Sequence, residues 1–143
     1  MEMKQKPTEA QINDIAQNCL MGMLSFVHKE TLEIEVYPDV RHIIEFDEND
    51  ELWAETKNKL DENMADYIEI EPMTSFESYK LLENFVLVVD DESLQDDLQA
   101  ALERRKPFRN FKHIVDNSNY RQAWFDFELE QTMEYVRKNL HLK

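Results

Sequence analysis

The sequence predicts a helix-dominated α+β domain in the order helix, strand, helix, strand and then four helices, with a small sheet of two or three strands. Three observations carry that prediction. A hydroxyl stands three residues ahead of an amide or acid at Thr8/Gln11, Thr74/Glu77 and Ser93/Asp96, and apolar residues at helical spacing follow each pair. Such a hydroxyl accepts from a first-turn N–H while the partner side chain reaches back, so two otherwise orphaned donors are satisfied. Two short stretches, Thr31–Tyr37 and Tyr67–Glu71, instead alternate apolar and acidic residues with the period of a half-buried strand. Pro107 also fits the first turn of a further helix, with Phe108, Phe111 and Val115 lining its inner face.

The elements follow in order. After Thr8, residues Ile12, Ile15, Ala16, Cys19, Leu20, Met23 and Val27 recur at helical spacing and predict one long amphipathic helix. Leu32, Ile34 and Val36 then alternate with Glu33 and Glu35. Whether Arg41–Phe46 is a third strand is ambiguous from the sequence. Asn49–Asn63 is charged and helix-favouring, with Leu52, Trp53, Thr56 and Leu60 on one side. Tyr67–Glu71 alternates again and stops at Pro72. After Thr74, residues Phe76, Tyr79, Leu82, Phe85, Val86 and Val89 form a helical stripe, and Leu94, Leu98, Ala101 and Leu102 form a shorter one. Pro107 suits a helix first turn, where its missing N–H costs nothing, and Phe108, Phe111 and Val115 face inward behind it. A last helix begins near Asn119 and is apolar over a wide arc. Tyr120, Trp124, Phe127 and Tyr135 lie on one side, with Phe125, Leu129, Met133, Val136 and Leu140 beside them. A helix of that kind is central to a core or presents an apolar face to a partner. No repeat or low-complexity linker divides residues 1–143, which read as one domain with a flexible start at 1–7.

Composition removes several function classes. Of 143 residues, 42% are hydrophobic and 10% aromatic, enough for a core and unlike a disordered chain. A dinucleotide fingerprint, a P-loop or a nucleophile elbow each needs at least two spaced glycines, and the chain carries one, Gly22. The single Cys19 excludes an intrachain disulfide and any CxxC site. The longest uncharged apolar run, Cys19–Val27, is far shorter than the ~20 residues of a membrane span. The amino terminus lacks an apolar signal core, so the expected address is the cytoplasm.

Charge is distributed unevenly. Residues 1–103 hold 26 acids and 7 bases, whereas residues 104–143 hold 5 acids and 9 bases, within an overall −15. Nucleic acid or an anionic membrane would be repelled by most of such a surface. Any anionic contact therefore falls in the last third.

Candidate chemistry is sparse. Val86–Glu92 has the look of a receiver-domain strand, but only 51 residues follow Glu92, too few for the rest of that fold, so a helix end running into an acidic turn is the expectation. His42 and Glu45 have the spacing of two ligands on a helical face, yet Ile43 and Ile44 disfavour a helix there, and no fourfold ligand set with His28 or Cys19 can be named. Glu69 and Glu71 share one strand face, as paired carboxylates do in acid–base catalysis and also on any solvated strand. No catalytic residue, cofactor site or metal site is assigned.

One segment differs from the rest. Arg104-Arg105-Lys106-Pro107-Phe108-Arg109-Asn110-Phe111-Lys112-His113 holds five bases and no acid, and it contains a helix start, where free N–H groups and the helix dipole favour anions. Arg105, Lys106, Arg109, Lys112 and His113 are the expected partner- or anion-binding residues. The competing reading pairs these bases with the chain's own Asp90, Asp91, Asp96 and Asp97.

A family resemblance now enters. Glu71-Pro72-Met73-Thr74-Ser75-Phe76-Glu77-Ser78-Tyr79, Glu83-Asn84-Phe85-Val86, Ala101-Leu102, Pro107-Phe108-Arg109-Asn110-Phe111-Lys112 and Trp124-Phe125-Asp126-Phe127 occur in that order. The chain thereby resembles the bacterial uncharacterised protein family zero-one-five-eight. That family's pattern runs as a Pro-Met-Ser/Thr helix start, a Phe-Arg-x-Phe-Lys segment and a Trp-Tyr/Phe-x-Phe helix. Relatives typically show Thr-Gly-Glu ahead of an acidic strand, whereas Thr31-Leu32-Glu33 has leucine in the place of that glycine. The resemblance implies one compact, mostly helical domain with a small sheet and supplies no catalytic residues.

The leading functional expectation is a non-enzymatic cytoplasmic interaction or regulatory protein, binding an unidentified protein partner through residues 104–113 or an apolar helix face. The alternatives are a nucleic-acid-associated factor using the same basic segment, or an enzyme of unrecognised type using His113 or Glu69/Glu71. No membrane association is expected, and the chain is expected to be a monomer or a homodimer.

Overall fold

The computed structural model describes residues 6–39 and 50–140. The ambiguous Arg41–Phe46 stretch, the His42/Glu45 pair and residues 1–5 of the expected flexible start lie outside the described residues. The described elements are α1 (Glu9–Leu20), β1 (Met23–His28), β2 (Ile34–Pro38), α2 (Glu51–Glu62), a 3-10 turn (Met64–Asp66), β3 (Tyr67–Ile70), α3 (Ser75–Val88), α4 (Glu92–Leu102), α5 (Pro107–Asp116) and α6 (Arg121–Asn139). The class is α+β and helix-dominated, as the sequence predicts.

The chain forms two compact units. The first joins Met1–Pro72 with Thr132–Lys143, and the second is Met73–Gln131.

In the first unit, Thr8 closes a full capping box: its hydroxyl accepts from the Gln11 N–H at 3.1 Å and the Gln11 side chain accepts from the Thr8 N–H at 2.9 Å. The helix that follows is shorter than the apolar stripe. It ends at Leu20, Gly22 turns the chain at φ 77°, and Met23 and Val27 belong to β1 instead of a continued helix. A φ in this range is open to glycine without a Cβ clash, which is why the reversal sits there. β1 is the centre of a three-stranded antiparallel sheet ordered β2-β1-β3, with Ser25 opposite both Val36 and Ile70. As the central strand it is covered on both faces, and Ser25, Phe26 and Val27 are buried in succession.

Helix α1 packs on β1 through Ile12, Ile15, Ala16 and Cys19, and α2 packs on β2. Phe26, Leu60 and Tyr67 form a small apolar cluster with Leu24 and Tyr37 against it. The hairpin between β1 and β2 is closed by His28, whose Nδ1 accepts from the N–H groups of Glu30 and Thr31 at 3.1 and 3.2 Å. Leu32 stands inside that turn at φ 64° with its side chain buried. The last residues of α6 complete this unit: Arg137 meets the Glu9 carboxylate at 2.7 Å and Asn13 contacts the Met133 sulfur at 3.9 Å.

The second unit is built on aromatic packing. Thr74 and Glu77 form the predicted capping box at the start of α3. At α4 the cap is Asp91 and not Ser93: the Asp91 carboxylate accepts from the Leu94 N–H at 3.0 Å, and Ser93 lies within the helix. An aspartate two residues upstream reaches the first turn equally well, and its charge complements the helix amino-terminal dipole. Leu81, Leu82, Phe85, Val86, Val89, Leu98, Leu102, Phe111, Val115 and Trp124 form one buried cluster. Phe85, Phe111 and Trp124 meet pairwise edge to face at 5.0 to 6.1 Å, the offset geometry that aromatic quadrupoles favour. Phe76, placed on the inner stripe by spacing, is 70% exposed, with the Lys80 ammonium 5.6 Å from its ring centre. On α6 the core reading holds at Trp124, while the neighbouring Phe125 is 41% exposed.

Candidate partner-binding site

The basic segment begins where α4 runs out. Arg104 and Arg105 follow Leu102 in the connection, and Lys106 takes a left-handed conformation at φ 55° before Pro107 opens α5. No side chain caps the first turn of α5. Asn110 fixes the bend from within, its Nδ2 donating to the Arg105 carbonyl at 2.8 Å. Tyr79 holds the preceding end: its hydroxyl donates to the Leu102 carbonyl at 2.9 Å and its ring meets Phe108 edge to face at 6.4 Å. Phe111 and Val115 are fully buried. With Phe108, Phe111 and Val115 turned inward, Arg109, Lys112 and His113 are left exposed on the outer side.

All five expected binding residues, Arg105, Lys106, Arg109, Lys112 and His113, are exposed, and so is Arg104. Among the described residues, no carboxylate lies within ion-pair distance of any of the six, whereas pairs do form elsewhere, at Lys59–Glu35, Lys80–Glu83, Arg121–Asp116 and Arg137–Glu9. Of the acids that might have neutralised the segment, Asp91 is engaged as the α4 cap. Lys112 alone has a longer-range effect: burial on α6 pushes the Glu128 carboxyl above its ordinary value, and the Lys112 charge pulls it partly back.

A cleft of about 250 Å³ opens between α4 and α5, lined by Asp97, Ala100, Ala101, Arg104, Asn110, His113 and Ile114. The sequence places Arg104 and Asn110 in the basic segment and Asp97 among its acidic counterparts, but does not bring the three into one cleft. Arg104 and His113 lie nine residues apart on different elements, and only the turn at Lys106 brings them to one wall.

The other candidates lie on other elements. Glu69 is exposed on β3 and Glu71 follows the strand end. Among the described residues no group of three or more His, Cys, Asp or Glu is placed to hold a metal ion. Burial pushes the Cys19 thiol up to about 12, and its sulfur lies 3.9 Å from the Glu71 carbonyl. No described helix is long and apolar enough to cross a membrane.

The sequence model of the Uncharacterised protein family (UPF0158) matches residues 15–142. The "UPF0158 protein PA5073" of Pseudomonas aeruginosa is 30% identical over 68 residues, which cover 47% of this chain and 44% of the relative. The match thus spans less than half the length of that curated relative. No solved structure matches the chain.

Proposed function

The chain belongs to this uncharacterised family, and from its own residues we propose that it is a non-enzymatic cytoplasmic interaction or regulatory protein that engages a partner through residues 104–113. One observation carries the reading: five arginines and lysines stand exposed on one turn and helix start with no carboxylate within ion-pair distance among the described residues. In a chain of net −15, internal neutralisation would pair these bases with neighbouring acids such as Asp96 and Asp97, and no such pair forms among the described residues. Exposed, unpaired cations beside an uncapped helix start suit an anionic group on another molecule. Phe108 and Phe111 support this from below, since their anchoring lets the charged flank keep its shape without help from the charges.

The test replaces Arg105, Lys106, Arg109 and Lys112 with glutamine. The expected result is a melting temperature close to that of the parent and loss of the partner that the parent protein retains from extracts of its native host. Phe111→Ala should instead unfold the segment. A four-glutamine variant that melts normally and keeps the same partner overturns the reading. Retention of nucleic acid with a steep decline of affinity with salt would move the function to the nucleic-acid class.

A further inference from the structure

We propose that the α4–α5 cleft is a receptor for one carboxylate side chain of an acidic protein segment; this rests on the reading of residues 104–113 as the partner surface and specifies what that surface holds. The cleft combines two kinds of wall. Arg104 supplies guanidinium donors, Asn110 the second N–H of the Nδ2 whose first goes to the Arg105 carbonyl, His113 a ring nitrogen, and Ala100, Ala101 and Ile114 short apolar contacts. A guanidinium beside an amide is suited to a planar carboxylate, and small apolar residues accommodate the methylenes that carry it. At about 250 Å³ the cleft falls below the usual range of small-molecule pockets. That is room for a single group of a longer chain.

Asp97 decides between an acidic peptide and nucleic acid. Its carboxylate lines the same cleft and, ionised, only accepts hydrogen bonds. Repulsion by Asp97 is common to a phosphate and a carboxylate, but a phosphodiester backbone offers only acceptors along its length and brings no donor for Asp97. A peptide brings both signs at once: a carboxylate for Arg104 and a backbone N–H for Asp97. Arg105, Lys106 and Arg109, at the start of α5, remain for the acids flanking the one that enters.

The experiment measures fluorescence anisotropy of a labelled oligoglutamate peptide, and of an oligothymidylate of equal charge, with the full chain at low ionic strength. The parent should bind the peptide more tightly than the oligothymidylate. Ala100→Phe, which fills the cleft and leaves every charge in place, should weaken peptide binding about tenfold or more, the usual effect of losing one charge-assisted hydrogen bond. Arg104→Gln should do the same and serves if the phenylalanine disturbs folding, which a thermal melt reports. Asp97→Asn should improve oligothymidylate binding by a larger factor than peptide binding, because only the peptide loses an ionised acceptor for its N–H. If Ala100→Phe and Arg104→Gln bind the peptide like the parent while the four-glutamine variant does not, the cleft proposal fails and the basic-surface reading survives. Equal or tighter binding of the oligothymidylate overturns the cleft proposal. No binding of either probe by the parent overturns it as well.

Discussion

The Tyr135 hydroxyl donates to the Glu71 carbonyl at 2.7 Å, joining the end of α6 to the residue that follows β3 across 64 positions of sequence. It closes a carbonyl that the strand ladder leaves behind, since β3 pairs with β1 only from Tyr67 to Ile70. Tyr135→Phe keeps the ring and removes the donor. It should lower stability by about 1 kcal/mol, the net worth of a typical hydrogen bond, and the melting temperature by about 2–4 °C. An unchanged midpoint would show that water replaces the hydroxyl without loss.

Trp124 and Phe125 are adjacent on α6 and opposite in consequence. Trp124 is 2% exposed and meets Phe85 at 5.2 Å and Phe111 at 5.0 Å. Trp124→Ala should cost about 3–5 kcal/mol through lost burial and a cavity. Phe125 is 41% exposed, with Arg121 5.3 Å from its ring centre. Phe125→Ala should cost no more than about 1 kcal/mol, the scale of an exposed cation–π contact. Chemical denaturation of the two variants side by side checks the order, and equal losses would place α6 differently from what its burial shows.

Leu32 holds a backbone that glycine favours, φ 64°, while its side chain is 7% exposed. The left-handed conformation costs a residue with a Cβ about 1–2 kcal/mol, and the buried leucine offsets that cost by packing. Leu32→Ala loses the packing and keeps the backbone cost, whereas Leu32→Gly loses the packing but is relieved of the cost. Stability should therefore rank parent, then Leu32→Gly, then Leu32→Ala, the reverse of the usual order of alanine and glycine. Urea midpoints measure this directly. An alanine variant more stable than the glycine variant would show that the turn relaxes away from positive φ.

Glu128 yields a pH prediction. Its carboxyl is raised by burial and partly lowered by Lys112. A carboxyl with a folded pKa above its unfolded value binds its proton more tightly in the folded state. Stability from this group thus rises as pH falls through the folded pKa towards the ordinary 4.5, and above that window the buried charge is a cost. Glu128→Gln should match or exceed the parent in melting temperature at neutral pH, with the gain shrinking on acidification. Adding Lys112→Gln to both proteins should widen the gap at neutral pH. A Gln variant that is less stable at neutral pH and recovers in acid would reverse the assignment.

Sequence alone determined the elements whose signals are local. Thr8/Gln11 and Thr74/Glu77 close as capping boxes because a hydroxyl and an acceptor three residues apart meet whatever the tertiary fold. Pro107 begins α5, and the acidic turn after Val88 ends α3, for equally local reasons. The basic character of 104–113 was legible for the same cause, since charge is counted, not folded. What tertiary structure decided is everything that depends on burial from two sides or on distance along the chain. β1 was hidden because a central strand buried on both faces shows no alternation, and Met23 and Val27 fall four apart like a continued helix. Ser93 lost its cap to Asp91 because both satisfy the same first-turn donors and only the folded backbone chooses which of them stands outside the helix. The meeting of Asp97, Arg104 and His113 in one cleft needed the turn at Lys106, where a non-glycine residue accepts φ 55°. Such a conformation is unfavourable locally and persists only because Tyr79, Phe108 and Phe111 hold both sides of it, a sum of contacts that no short stretch of sequence contains.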